Sequence, residues 1–121
     1  GFAIPINKVK RKLEEVRAYG KLRQVRLDFE AIDITPYVQQ SMELISTQGA
    51  LIYRMEKNGS ASKAGLQPGD QIQKVNGRVV KNRRDFLVQL YGATVGEKLK
   101  LEGLRNKQPI QLDYEIQPVA K

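Results

Sequence analysis

The segment Ala64-Gly65-Leu66-Gln67-Pro68-Gly69-Asp70, running on through Ile72 and Val75 to Asn76-Gly77, leaves the backbone little choice. Gly65 can take the left-handed conformation that ends a short helix, with Leu66 folding back over it. Pro68-Gly69 suits the two central positions of a type II turn, since proline presets φ at the first and glycine accepts the positive φ of the second. Residues 70–75 then read as a strand. Asn76-Gly77 is a strong hairpin signal, because both residues tolerate positive φ, and Arg78-Val79-Val80 supplies a short returning strand.

A longer stretch around this segment resembles a known family. Gly49-Ala50-Leu51-Ile52-Tyr53-Arg54-Met55, then Ser60-Ala61-Ser62-Lys63-Ala64-Gly65-Leu66-Gln67-Pro68-Gly69-Asp70-Gln71-Ile72, then Val75-Asn76-Gly77 is similar to the central block of a bacterial PDZ domain of the HtrA/Deg serine protease type. At full length that block is specific, whereas a single dipeptide from it is weak. Gly1-Phe2-Ala3-Ile4-Pro5-Ile6 resembles the last strand of the trypsin-like domain that precedes the first PDZ domain in that family. Taken without the resemblance, it is an ordinary apolar N-terminus.

The resemblance implies a division into a protease-strand remnant at 1–6, a linker helix at 7–20, a PDZ domain at 21–117 and a tail at 118–121. The implied fold is α+β: a partly open β-barrel of five to six strands capped by two helices, with the C-terminal strand closing the sheet. Length agrees, since 121 residues with 40% hydrophobic side chains can bury one core and are too few for two full domains. No apolar run approaches the length that crosses a bilayer, and the N-terminus lacks the layout of a signal peptide, which reads as a soluble segment without its targeting signal. Zero cysteines exclude a disulfide framework and thiolate metal sites, and are compatible with either redox compartment.

The formal charge of +8 is unevenly spread. Residues 1–26 hold eight cations against Glu14 and Glu15, so that segment carries +6 and the remaining 95 residues only +2. A nucleic-acid-binding domain is expected to concentrate cations on its folded body, interleaved with aromatics, and this distribution argues against nucleic acid as a partner. The basic segment reads as a helix that Asn7 can cap and Gly20 can end, with Val9, Leu13 and Val16 at helical spacing behind Ile6. Its stripe would dock on a neighbouring domain or lie on an anionic membrane surface. Being narrow and without Trp or Phe, it favours docking over membrane contact.

Downstream, 24–27 and 29–34 read as extended segments, and Thr35-Pro36 starts a short helix reaching about Met42. Residues 50–55 form a strand, 60–64 a one-turn helix, and 83–91 a longer helix with Phe86, Leu87 and Leu90 on one side. Residues 98–105 are expected to pair with 108–116.

Catalytic chemistry is hard to build here. Without histidine, a Ser-His-Asp or Cys-His arrangement is impossible, and no Gly-x-Ser-x-Gly elbow is present, so this chain is expected not to be an enzyme. A Ser-Lys dyad from Ser60, Ser62 and Lys63 gives way to a simpler role for Ser60 as a helix cap. No metal or other cofactor is expected: the remaining carboxylates, such as Asp28, Glu30 and Asp33, are scattered, and strand alternation sends neighbours to opposite faces. Gly65-x-x-x-Gly69 lacks a following Lys and Ser or Thr, so it is a turn and not a phosphate cradle.

What remains is recognition. In the family that the chain resembles, an extended peptide adds as a strand beside the second strand of the domain, its C-terminal carboxylate caught by backbone N–H groups of the preceding loop. The resemblance implies a carboxylate loop and strand at Arg26, Leu27, Asp28, Phe29, Glu30 and Ala31, facing a helix wall of Arg84, Leu87 and Tyr91. From the residues themselves, Phe29 and Leu87 fit a groove floor or a core equally well, and Arg84 reads as a solvated side chain. The family usually has glycine where Asp28 stands. An aspartate aimed at the loop would bring bulk and a like charge to the capture point, unless Arg26 neutralised it.

The function implied is a peptide-recognition module of an HtrA-like serine endopeptidase, binding C-terminal or unfolded segments and regulating proteolysis in protein quality control. The partners implied are peptide or unfolded-protein C-termini, the protease domain of the same chain, and sister subunits of a trimer-based homo-oligomer. The location implied is the bacterial periplasm or cell envelope. The alternative is a PDZ-like scaffold that makes oligomer or inter-domain contacts without taking peptide, for which Asp28 speaks. PDZ domains of carboxy-terminal processing proteases or intramembrane metalloproteases are related alternatives, against which the segment at 1–6 argues.

Overall fold

The computed structural model describes residues 6–20 and 24–119. Along them run α1 (Ile6–Tyr19), β1 (Val25–Arg26), β2 (Phe29–Asp33), α2 (Pro36–Ser41), β3 (Ala50–Met55), α3 (Ser60–Ala64), β4 (Gln71–Val75), β5 (Arg78–Val79), α4 (Arg83–Tyr91), β6 (Lys98–Arg105), β7 (Gln108–Glu115) and β8 (Gln117–Pro118). The main sheet is antiparallel in the order β2-β3-β4-β6-β7, with β5 on β4, and β1 pairs with β8 in a separate ladder. This is the expected mixed fold with a partly open sheet.

The punctuated segment folds as its residues require. α3 ends on Gly65 at φ 92° and ψ 10°, and Leu66 N–H turns back to the Ala61 carbonyl at 3.0 Å. Asp70 N–H closes the turn over Pro68-Gly69 on the Gln67 carbonyl at 3.1 Å, with Gly69 at φ 96°. Asn76 and Gly77, at φ 51° and 81°, then connect β4 to β5. Both central residues at positive φ make a turn whose twist matches the strands it joins.

Asp70 fastens this turn to the far hairpin. Its carboxylate is 1% exposed, accepts from Gln67 N–H at 2.9 Å and takes two Arg105 donors at 2.8 Å each, while Arg105 also donates to the Gly65 carbonyl at 2.7 Å. A guanidinium fork matches a carboxylate in this way where an ammonium cannot.

The core lies between the sheet and α4. Leu99, Leu101 and Gly103 alternate inward along β6, and Ile52, Ile72, Val75, Phe86, Leu90, Tyr114 and Ile116 complete a contiguous buried cluster. Burying one such large aliphatic side chain contributes about 1.5–3 kcal/mol. At Gly103 the sheet is so close that an added Cβ would collide with the Gln71 carbonyl.

Helix ends follow their capping residues. Thr35 Oγ1 accepts from Val38 N–H at 3.1 Å ahead of Pro36, and Asn82 Oδ1 accepts from Asp85 N–H at 2.9 Å at the head of α4. α1 starts at Ile6, one residue before its expected cap Asn7, and Gly20 at φ 76° closes it with N–H on the Val16 carbonyl at 2.7 Å. Of the strand expected at 1–6, residues 1–5 lie outside the described residues and Ile6 belongs to α1. The helix meets the body through its polar side, with Arg11 paired to Glu97 at 3.1 Å and Glu15 buried, and Val9, Leu13 and Val16 stay exposed. Among the described residues no helix is long and apolar enough to cross a membrane.

Candidate functional site

Among the described residues, β2 has a strand on one side only. Its partner is β3, and the sheet order ends there. Two backbone observations say which groups of β2 turn away from β3. The Asp28 carbonyl accepts from Glu56 N–H at 2.9 Å, on the β3 side, so the next residue, Phe29, directs its N–H and C=O to the open side. Ala31 lies opposite Ile52, whose N–H and C=O are both occupied on the other side, by the Asp70 carbonyl at 2.8 Å and Gly69 N–H at 2.7 Å. Ala31 therefore also presents its N–H and C=O outward. The parity is kept although Tyr53 is an extra residue on β3 between the partners of Glu30 and Ala31.

α4 lines this open edge. Arg83 N–H donates to Asp33 Oδ1 at 2.9 Å, which pins the head of the helix to the end of β2. Further along, the Phe86 ring sits 5.7 Å from Phe29, and Tyr91, in the last turn, borders a cavity shared with Val25 and Gln24. The helix thus runs antiparallel to β2. The Arg83 side chain reaches across to the edge, its Nε donating to the Ala31 carbonyl at 2.8 Å.

The nine residues singled out from the sequence separate into groups. Leu27 and Leu87 are half-buried against the core, Glu30, Arg84 and Tyr91 are exposed, and Phe29 and Ala31 are buried at 7% and 5% exposure. Phe29 is a core residue, edge-on to Tyr114 at 5.5 Å as well as beside Phe86. Its backbone, and not its ring, faces the open edge. Arg26 lies in the β1 ladder and pairs with Glu56, not with Asp28.

Asp28 departs most from the expectation of a charge at the capture point. It is 3% exposed and turned inward: Oδ1 accepts from the Tyr114 hydroxyl at 2.7 Å and Oδ2 from Ala61 N–H at 2.9 Å. The second bond caps α3 from outside. Its N-cap residue is Gly59, which has no side chain to offer, and Ser60, expected as the cap, instead donates through Oγ to the Glu115 carbonyl at 2.6 Å. An N-cap carboxylate satisfies an orphan amide of the first turn, and here a strand residue supplies it. The Tyr114 phenol is pushed well above its ordinary pKa, first by burial and then by its bond to Asp28.

Sequence reasoning missed Arg83, Asp33 and Tyr114. Arg83 was as visible as Arg84, since both follow the cap Asn82. Residues one apart on a helix point about 100° apart, so the starting residue decides which arginine reaches β2. Tyr114 carried no local signal beyond its alternation with Leu112 and Ile116.

Comparisons with known proteins agree with this geometry. The PDZ domain family profile matches residues 22–116. A probable periplasmic serine endoprotease, DegP-like, from Rickettsia prowazekii is 32% identical over 96% of this chain, and the periplasmic serine endoprotease DegP of Escherichia coli is 30% identical over 97% of it. The chain spans 23% and 25% of their lengths, about a quarter of each. A structure of the HtrA-type protease AlgW with a decapeptide is matched over 100% of this chain and 37% of that one, at 26% identity and TM-score 0.75. The HtrA3 PDZ domain bound to a phage-derived ligand has the same fold, with TM-score 0.67 at 23% identity over 79% of this chain and 88% of that one. With one strand edge left open beside a helix, and with the profile spanning nearly the whole described body, the chain belongs to the PDZ domain family, in the form carried by HtrA/Deg serine endoproteases.

Proposed function

We propose that this domain binds extended peptide segments, C-terminal or unfolded, by adding them as a strand to the open edge of β2. The observation that carries the reading is that Phe29 and Ala31 turn their N–H and C=O groups away from β3, beside α4. Main-chain hydrogen bonds to such an edge supply affinity, and the pockets beside it select side chains. The N–H groups of Leu27, Asp28 and Phe29 receive the terminal carboxylate, and Leu87 and Tyr91, with Arg84 further round, form the wall. The inward Asp28, its carboxylate engaged by Tyr114 and Ala61, supports peptide binding over a scaffold without peptide.

In the parent protein, the module passes peptide binding to a trypsin-like protease domain of the same chain, in a trimer-based assembly in the periplasm, and so regulates proteolysis in protein quality control. The relatives are periplasmic serine endoproteases by name, which supports this wider reading.

The test is a titration with a C-terminal peptide library, followed by amide chemical shifts. Perturbations concentrated on residues 27–31 and on α4, weakened by amidating the peptide terminus, are expected. Binding that moves other surfaces, or that ignores amidation, would overturn carboxylate capture at this edge.

A further inference from the structure

Resting on the strand-addition reading, we propose that Arg83 is a latch on the groove: its guanidinium occupies the Ala31 carbonyl that an added strand needs, and a peptide enters by displacing it. The Ala31 carbonyl is directed to the open side because Ile52, opposite, bonds to Asp70 and Gly69 on the β4 side. Arg83 Nε is 2.8 Å from that oxygen. A strand added in register would bring its own amide nitrogen to about 2.9 Å from the same oxygen, and its backbone would run about 4.8 Å from β2. Guanidinium and strand require the same place. A carbonyl has two lone pairs, yet the added backbone fills the gap in which the guanidinium lies.

The root of the latch is fixed while its arm is free to move. Arg83 N–H is held by Asp33 at 2.9 Å, and α4 is capped by Asn82, so release of the side chain leaves the helix where it is. The side chain itself is exposed and has several rotatable bonds, so it regains freedom on release. What a peptide must overcome is one charge-assisted hydrogen bond.

The experiment uses an apolar C-terminal peptide with uncharged side chains, in 1 M salt, where the screening length of about 3 Å removes long-range attraction between Arg83 and the peptide carboxylate. Affinity is measured by calorimetry for the wild type, Arg83→Ala and Arg83→Met, the last keeping an aliphatic stem. The wild-type Arg83 Nε–H resonance is followed during the same titration, a readout that needs no variant. Both variants are expected to bind about three- to tenfold more tightly, as loss of one competing hydrogen bond implies, and the Nε–H signal is expected to shift and exchange faster at saturation. Equal or weaker binding by both variants, or an Nε–H signal unmoved at saturation, overturns the latch and leaves strand addition standing. If no peptide perturbs residues 27–31 in any of the three proteins, strand addition itself fails and the latch falls with it.

Discussion

The Tyr114 hydroxyl donates to Asp28 Oδ1 at 2.7 Å, joining residues 86 positions apart. Each is buried, and each supplies what the other lacks. With Oδ2 on Ala61 N–H, the same carboxylate ties the head of β2 to β7 and to the first turn of α3. A glycine would be the simplest residue for a backbone that must approach a ligand, and the chain places there a side chain that braces the loop from behind.

Asp28→Ala should lower the unfolding free energy by about 2–4 kcal/mol, combining an unsatisfied buried phenol with a lost helix cap. Tyr114→Phe should cost less, because Asp28 keeps Ala61. The double variant should be more stable than the sum of the two predicts, since the shared bond is lost only once. Urea denaturation of the four proteins measures this, and strict additivity would mean that the two groups do not act together.

Stability should fall at alkaline pH through Tyr114. Its folded pKa is raised, so above the ordinary value of about 10 the unfolded chain releases the phenolic proton while the native state retains it. The contribution is fully present below that value and is lost as pH rises toward the folded pKa, at up to about 1.4 kcal/mol per pH unit. Melting temperatures from pH 8 upward should decline more steeply for the wild type than for Tyr114→Phe, and parallel curves would contradict the assignment.

Arg105→Ala should destabilise by about 3 kcal/mol, because it leaves the Asp70 carboxylate buried without its bidentate partner. Arg105→Lys restores the charge without the fork and should recover only part of the loss. Chemical denaturation of both checks the order. A lysine variant as stable as the wild type would show that charge alone matters at this position.

Gly103→Ala should cost about 1–3 kcal/mol or more, since the new methyl meets the Gln71 backbone and a backbone oxygen cannot rotate aside. Calorimetric unfolding reads the effect, and an unchanged midpoint would mean that β4 and β6 part easily at this point.

The sequence by itself determined the local conformations. Gly65, Pro68-Gly69 and Asn76-Gly77 impose their turns through φ preferences that act within a few residues, and the bounds of α4 follow from its cap and apolar spacing. The hairpin of β6 and β7 was legible from the patterning of its two extended runs. Tertiary structure alone decided the partners. The burial of Phe29, the inward turn of Asp28, the choice of Arg83 over Arg84 at the open edge and the pairing of Val25 with Pro118 all depend on which distant segments meet. Ser60 illustrates the difference: as a cap it satisfied every local rule, yet Asp28, 33 residues from Ala61, took the role. A hydrogen-bonding side chain goes to the partner that the closed fold brings within about 3 Å, and no spacing along the chain encodes that distance.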